Sequence, residues 1–368
     1  MTKEEKLQEK YLNASTKQLV WWRYKKHALA MIGLWAIAIL YVSALTCEFI
    51  TPYSKDDRNL DAIYAPPTRI RIFDDEGRVR RPYVRTVQFD LDTQSMQMRF
   101  EEVPGTYNPI LFFVRRSSYS FWGLWESDLH LFGVDPSARI NIFGTDRMGR
   151  DMFSRCLYGS RISLSIGMLG VFMSLVLGLA LGGVSGYVGG WGDGLIQRTI
   201  EIIRCFPAIP LWMGLAAAMP QHWHALKVYF VITIILSLVG WTDLARMVRG
   251  KLIALREEEF VLAERFAGAG HARIIFRHLL PSFTSQIIVS VTLAIPHMVL
   301  SETALSFLGI GLRPPITSLG VLLKEAQNVT TIALYPWLLI PVVFVIVTVL
   351  AFNFVGDGLR DAVDPYSR

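Results

Sequence analysis

Six stretches of this chain are apolar over about the 20 residues an α-helix needs to cross a ~30 Å hydrocarbon layer. That repetition limits the possible folds more than any other feature. The stretches lie at 28–50, 162–188, 199–219, 228–246, 283–308 and 334–356. The first, ALAMIGLWAIAILYVSALTCEFI, and the last, ALYPWLLIPVVFVIVTVLAFNFV, are the clearest, and the third and fourth are weaker. Composition agrees: 52% of the 368 residues are hydrophobic and 18% charged, against about 25% charged in soluble domains. An all-α polytopic membrane protein with six transmembrane helices is predicted.

The first stretch follows a 1–27 tail with seven Lys/Arg and three acids. A secretory signal also starts basic, but its apolar core is shorter and ends at small residues, which TCEFITPYS does not provide. Residues 28–50 therefore read as an uncleaved anchor. Segment 246–281 carries seven Lys/Arg against four acids. Positive charge in short loops stays on the cytoplasmic side, which places both termini and this segment inside. Region 51–158 has fifteen Lys/Arg and fifteen Asp/Glu, and long loops translocate largely regardless of charge. The net charge of +6 thus follows from topology and is no nucleic-acid footprint. Cys47, Cys156 and Cys205 form no CxxC or metal spacing and read as small buried residues; a disulfide between Cys47 and Cys156 near the outer face is the alternative.

The expected organisation is a cytoplasmic tail (1–27), a first span (28–50), an extracytoplasmic insertion (51–158), a five-helix core (159–356) containing a cytoplasmic loop (247–281), and a cytoplasmic tail (357–368). In the insertion, TRIRIF, DDEG and RVRRPYV read as two short strands around a turn, and RTVQFDL and SMQMRFEE continue the alternation. A small β-rich domain follows, either a docking surface or an insertion with no separate role. Gly178, Gly182, Gly186 and Gly190 stand four apart, a flat stripe that lets a neighbouring helix come close in lipid.

Few ionisable residues fall inside the spans: Glu201, Arg204, Asp243 and Glu302. A charge at bilayer depth costs at least ~2.5–3.5 kcal/mol, so each should face protein or water. The fifth span is the most polar, and Gln286, Ser290, His297, Ser301 and Glu302 are candidate pathway residues; a hydrogen-bond seam between helices is the alternative for each. There is no GxxxxGK[ST] loop, LGIGLR at 308–313 lacks the spacing of a dinucleotide site, and no nucleophile–base or HExxH arrangement is present. The chain is expected to be no enzyme, to bind no metal or cofactor, and to supply no energy of its own.

Between two membrane-length stretches lies EFVLAERFAGAGHARIIFRHLLP, 259–281, charged and broken at a glycine. Leu255, Leu262 and Phe266 fall on one helical face with Phe260, Ala263 and Ala267 beside it. Gly268 should end a first helix, His271 to Leu280 form a second, and Pro281 close it. The helix pair is too small to fold alone, so it should bind something. A helix lying on lipid would favour Lys-rich flanks over four glutamates.

The pattern of a triplet (Leu262, Ala263, Glu264), three residues, Gly268, nine residues and His278-Leu279-Leu280-Pro281 resembles the cytoplasmic loop of ATP-binding-cassette importer permeases. The triplet there is usually Glu-Ala-Ala, and only its middle alanine is kept here. The run EEFVLAERFAGA is similar to the peptide-permease version of that loop. FGTDRMGRDMFSRCLYGSRISLSIG (143–167), WTDLARMVRG (241–250), SETALSFLGIGLRPPITSLG (301–320) and WWRYKKHALAMIG (21–33) resemble the oligopeptide/dipeptide subfamily, and one long segment after the first span resembles its second-subunit type. The likeness covers roughly 20–53 and 140–366, leaving about 85 residues of the insertion unmatched.

The resemblance implies a type I ABC importer permease fold in a bacterial inner membrane. It also implies a second homologous permease, two cytoplasmic ATPases that bind ATP and Mg, an external binding protein, and no nucleic acid. Glu259, Phe260, Ala263, Glu264, Arg265, Gly268, Ala269, His278 and Pro281 would couple the chain to an ATPase. Peptides are the implied cargo; nickel, glutathione and oligosaccharides also occur in the subfamily. An ion-coupled secondary transporter would need midplane carboxylates and usually internal repeats; Glu302 is present, but no clear repeat is. A membrane-anchored receptor would not need six spans.

Overall fold

The computed structural model describes residues 14–92, 97–135, 138–220 and 222–364. Lys3, Lys6 and Lys10 of the basic tail, the start of SMQMRFEE and the last four residues lie outside them. In chain order the helices are α1 (Thr16–Lys26), α2 (Ala28–Leu45), α3 (Cys47–Ile50), α4 (Met152–Gly183), α5 (Gly190–Cys205), α6 (Ala208–Ala217) and α7 (Ala225–Leu255). They continue with α8 (Glu259–Phe266), α9 (His271–Arg273), α10 (Leu280–Ser282), α11 (Thr284–Phe307), α12 (Leu319–Leu323), α13 (Val329–Leu334) and α14 (Ile340–Val363).

Among the described residues, five helices are long and apolar enough to cross a membrane, and six if the bent pair α5–α6 is one span. The bend of 88° differs from the straight span expected at 199–219. It falls at Phe206-Pro207: proline offers no N–H to continue the ladder, and Phe206 before it is extended (φ −89°, ψ 136°). Other bounds shift too. α4 begins at Met152, ten residues before the apolar stretch, and runs on through a π-helical turn, Val184–Val188; α7 extends to Leu255.

The chain divides into two compact units. The first comprises residues up to 38, 165–305 and from 346 onward. In it α1 caps the helix that follows: the Ala30 N–H donates to His27 Nδ1 (3.1 Å), and the Tyr24 hydroxyl donates to the Ala30 carbonyl (3.1 Å). α2 and α14 approach closely, since a Cβ at Gly33 would stand 2.7 Å from the Ala351 carbonyl oxygen.

The expected glycine stripe is present for three of its four members. A Cβ at Gly182 would lie 2.7 Å from the Ala245 carbonyl oxygen, one at Gly186 2.8 Å from that of Arg249, and one at Gly178 2.8 Å from the Leu244 side chain, so α4 and α7 pack almost backbone to backbone. Gly190 has open space beside it and instead takes φ +63° at the turn into α5.

The second unit comprises residues 39–164 and 306–345. It contains seven described strands: β1 (Arg71–Phe73), β2 (Val79–Val84), β3 (Val87–Asp92), β4 (Gln97–Glu102), β5 (Asn108–Pro109), β6 (Leu111–Phe121) and β7 (Trp125–Gly133). They form a three-stranded sheet β1-β2-β5 and two hairpins, β3-β4 and β6-β7, all antiparallel. TRIRIF and RVRRPYV do pair around DDEG, with Phe73 opposite Val79. The longest hairpin, β6-β7, was not anticipated.

The segment GTDRMGRD (144–151) ties this unit together. Asp146, fully buried, accepts from the N–H groups of Met148 (2.8 Å) and Arg150 (3.0 Å), and its other oxygen takes Arg150 Nε (2.7 Å) and the Arg155 guanidinium. A carboxylate so supplied holds the turn and neutralises two buried cations. Gly149, at φ +68°, can be nothing else: a Cβ there would lie 1.8 Å from the Asn59 carbonyl oxygen.

Candidate functional site: a glycine-hinged elbow and a polar cavity

Glu259 opens α8, and the helix ends in a two-bond turn that needs a left-handed residue. The Gly268 N–H donates to the Arg265 carbonyl (3.0 Å), the Ala269 N–H to that of Glu264 (3.0 Å), and Gly268 sits at φ +80°. This is the helix-terminating geometry that favours glycine, because a side chain there would clash with its own backbone. The chain then rises through α9, a π-helical stretch Ile274–Leu279, and α10. The second arm thus differs from the plain helix expected, and Pro281 does not close it. Pro281 lies inside α10, where its missing N–H is tolerated near a helix start, and the break comes at Phe283 (φ −124°, ψ 22°).

The elbow has its own core. Val261 is fully buried with Ile274, Leu279, Val248 and Leu252, and Phe283 closes the cluster. Sequence periodicity pointed to Leu262 and Phe266 as the inner face. Leu262 is half-buried, but Phe266 is 90% exposed and Phe260 43% exposed, so the aromatic side of α8 faces away from the core. Two polar contacts brace the elbow. Glu264 Oε1 lies 3.4 Å from His278 Nε2, joining the two arms. Arg265 Nε donates to the Tyr187 hydroxyl (3.2 Å) with its guanidinium over the same ring, and Tyr187 packs edge-on against His271. All nine proposed coupling residues therefore fall on this one element. Glu259, Phe260, Ala263, Arg265, Gly268 and Pro281 are exposed, and Glu264, Ala269 and His278 are half-buried.

The first unit also contains an open cavity of about 560 Å³ lined by residues of α4 to α7 and α11. Ser290, His297 and Ser301 line it; Gln286 and Glu302 do not. The Ser301 hydroxyl donates to the His297 carbonyl one turn back (2.8 Å), and Glu302 is fully buried. The cavity wall also carries an ion pair, Arg204 of α5 with Asp243 of α7. Each charge thereby meets an opposite one on the neighbouring helix. A second cross-helix pair, Arg249 with both oxygens of Asp193 (2.7 Å each), locks α7 to α5 near the elbow. Both pairs lie far apart in sequence, and nothing in the spacing joins them.

Residues 175–368 match the family described as binding-protein-dependent transport system inner membrane component, and residues 15–67 match the N-terminal TM domain of oligopeptide transport permease C. The chain belongs to this family. It is a multi-pass inner-membrane permease of the kind its motifs resemble. The oligopeptide transport system permease protein OppC of Bacillus subtilis is 36% identical over 66% of this permease and 77% of that protein. The dipeptide transport system permease protein DppC of Alkalihalophilus pseudofirmus is 41% identical over 62% and 73%. DppC of Lactococcus lactis is 32% identical over 95% of this permease and 90% of its own length. That last alignment also takes in the insertion, beyond the reach of the motifs. Among solved structures, a chain of the MetNI methionine ABC transporter in inward facing conformations superposes with TM-score 0.47 at 19% identity, over 58% of this permease and 98% of that chain.

Proposed function

We propose that this permease forms half of a translocation pathway with a second, homologous permease, is driven by two cytoplasmic ATPases that bind ATP and Mg, and receives cargo from an external binding protein. Oligopeptides or dipeptides are the proposed cargo, because the relatives OppC and DppC carry those words in their names. The observation that carries the reading is the elbow: a small element with its own apolar core that leaves Phe260 and Phe266 exposed. Such a body transmits a push without deforming, and its aromatic side offers a partner a surface to grip. Nucleotide-driven closure of the ATPases would move the elbow, and α7 and α11, which flank it in the chain, would carry the movement to the cavity. Transmission of this kind needs two discrete arrangements biased by nucleotide. Both termini and the elbow then lie in the cytoplasm, and the β-rich insertion outside.

Affinity purification of the tagged chain from its native membrane tests the assembly. Two ATPases and a second permease are expected with the wild-type chain, and Phe266→Asp should shed the ATPases while retaining the second permease. Purification as a functional homo-oligomer, or with its ATPases unaffected by Phe266→Asp, would overturn the proposal.

A further inference from the structure

We propose that the turn of the β6-β7 hairpin is a membrane-interface foot, seated among lipid headgroups beside the last residue of α2. The turn reads Phe121-Trp122-Gly123-Leu124-Trp125. Hairpin turns that face water are built from Gly, Asn and Asp, whereas here Trp122, Leu124 and Trp125 are 49%, 75% and 58% exposed. The turn is well formed: the Leu124 N–H donates to the Phe121 carbonyl (2.9 Å), and Phe121 stacks on Trp125 at 5.2 Å. Trp122 sits at φ +53°, a conformation that a bulky residue adopts only when its surroundings hold it there.

What holds it is the end of a membrane span. The Trp122 indole N–H donates to the carbonyl of Leu45 (3.0 Å), the last residue of α2. Arg161 donates to the carbonyls of Ala44 (2.8 Å) and Leu45 (3.3 Å), with its guanidinium over the Trp122 ring, 4.4 Å from its centre. The last carbonyls of a spanning helix have no partner in the helix itself, and these two side chains supply one. The direction of the hairpin agrees: His130, midway along β7, meets the Thr51 carbonyl (Nδ1 at 2.6 Å), while the turn reaches back to Leu45. The hairpin therefore runs from beyond the span toward it, turn first.

Lipid is the occupant that fits. Ile39, Val42 and Leu45 are 65%, 58% and 48% exposed at helical spacing along α2, and the turn extends that apolar stripe at its end. Tryptophan gathers at this level because its ring is apolar and its N–H needs a polar partner, an arrangement Trp122 shows. Open to water, the same cluster would be a site of aggregation.

The test uses the full chain in its purified transporter, with Cys205→Ser to remove the exposed native thiol. A polarity-sensitive thiol fluorophore is placed at Leu124→Cys, and a reference label at Glu76→Cys in the exposed β1-β2 turn. Each is read in nanodiscs of phosphatidylcholine with and without bromine on the acyl chains near the glycerol. The label at 124 should be quenched by brominated lipid several-fold more strongly than that at 76, and quenched by aqueous iodide several-fold less. Equal access of iodide to both labels places the turn in water; shielding of position 124 from iodide and bromine alike places it against protein, the second permease included. Either result overturns the proposal. Trp125→Cys repeats the measurement should Leu124→Cys fail to assemble.

Discussion

Gly268 is the residue on which the elbow turns, and it has empty space around it: no heavy atom lies within 4 Å of a Cβ built there. Any cost of substitution is therefore backbone strain at φ +80° and not a clash with neighbours. Asn tolerates the left-handed region and β-branched residues do not, with a penalty on the order of 1–3 kcal/mol. Gly268→Asn should keep most uptake of a labelled peptide, while Gly268→Val should lose it with the chain still in the membrane; equal uptake by both would remove the hinge from the mechanism. Asp151 makes a different prediction. It caps the start of α4, accepting from the Ser154 N–H and hydroxyl (2.7 Å each), and burial pushes its carboxyl up to about 6. A raised carboxyl binds its proton more tightly in the folded chain than in the unfolded one, so its contribution to stability falls as pH rises from about 4 to about 6. Asp151→Asn, which keeps the capping oxygen, should raise the thermal midpoint at neutral pH by the equivalent of about 1–3 kcal/mol and lose that advantage below about pH 4. A constant difference across the range would show that the carboxyl does not titrate there.

At the scale of elements, packing of α4 on α7 depends on having nothing where a side chain would be. Gly182→Val must push the Ala245 backbone away and should cost about 1–3 kcal/mol, whereas Gly192→Val, with open space beside it and a better helix former than glycine, should be neutral or slightly stabilising. Thermal denaturation of the two purified variants separates the cases. The stripe was legible in sequence because its period matches the helix; so were the long spans, whose apolar length is set by the bilayer, and the β1-β2 and β3-β4 hairpins, whose alternation flanks turn residues. The β6-β7 hairpin was not, since FWGLW carries no polar turn signal and Phe112-Phe113 breaks the alternation. The elbow's hinge was legible from one glycine between helical runs. Its inner face was not: Val261 is buried because the second arm and α7 meet it there, a tertiary fact that the periodicity of α8 alone assigned to Leu262 and Phe266.

For the whole molecule, two ion pairs join segments that are distant in the chain: Arg204 with Asp243, and Arg249 with Asp193. Sequence supplied their members, two inside a family motif, but not their pairing, because side chains dozens of residues apart are matched only by folding. Composition and spans point to the class of protein, and several motifs in order, the elbow's among them, point to the family. The exposed elbow also bears on how the chain is made. With Phe260, Phe266 and Phe276 left uncovered, 43%, 90% and 63% exposed, a newly inserted copy displays the kind of greasy surface that cellular proteases and chaperones patrol for. Copies synthesised in excess of the ATPases proposed above should be short-lived in pulse-chase labelling and rescued by co-expressing those ATPases, so that the supply of partner, and not of this chain alone, would limit how many transporters a cell can field.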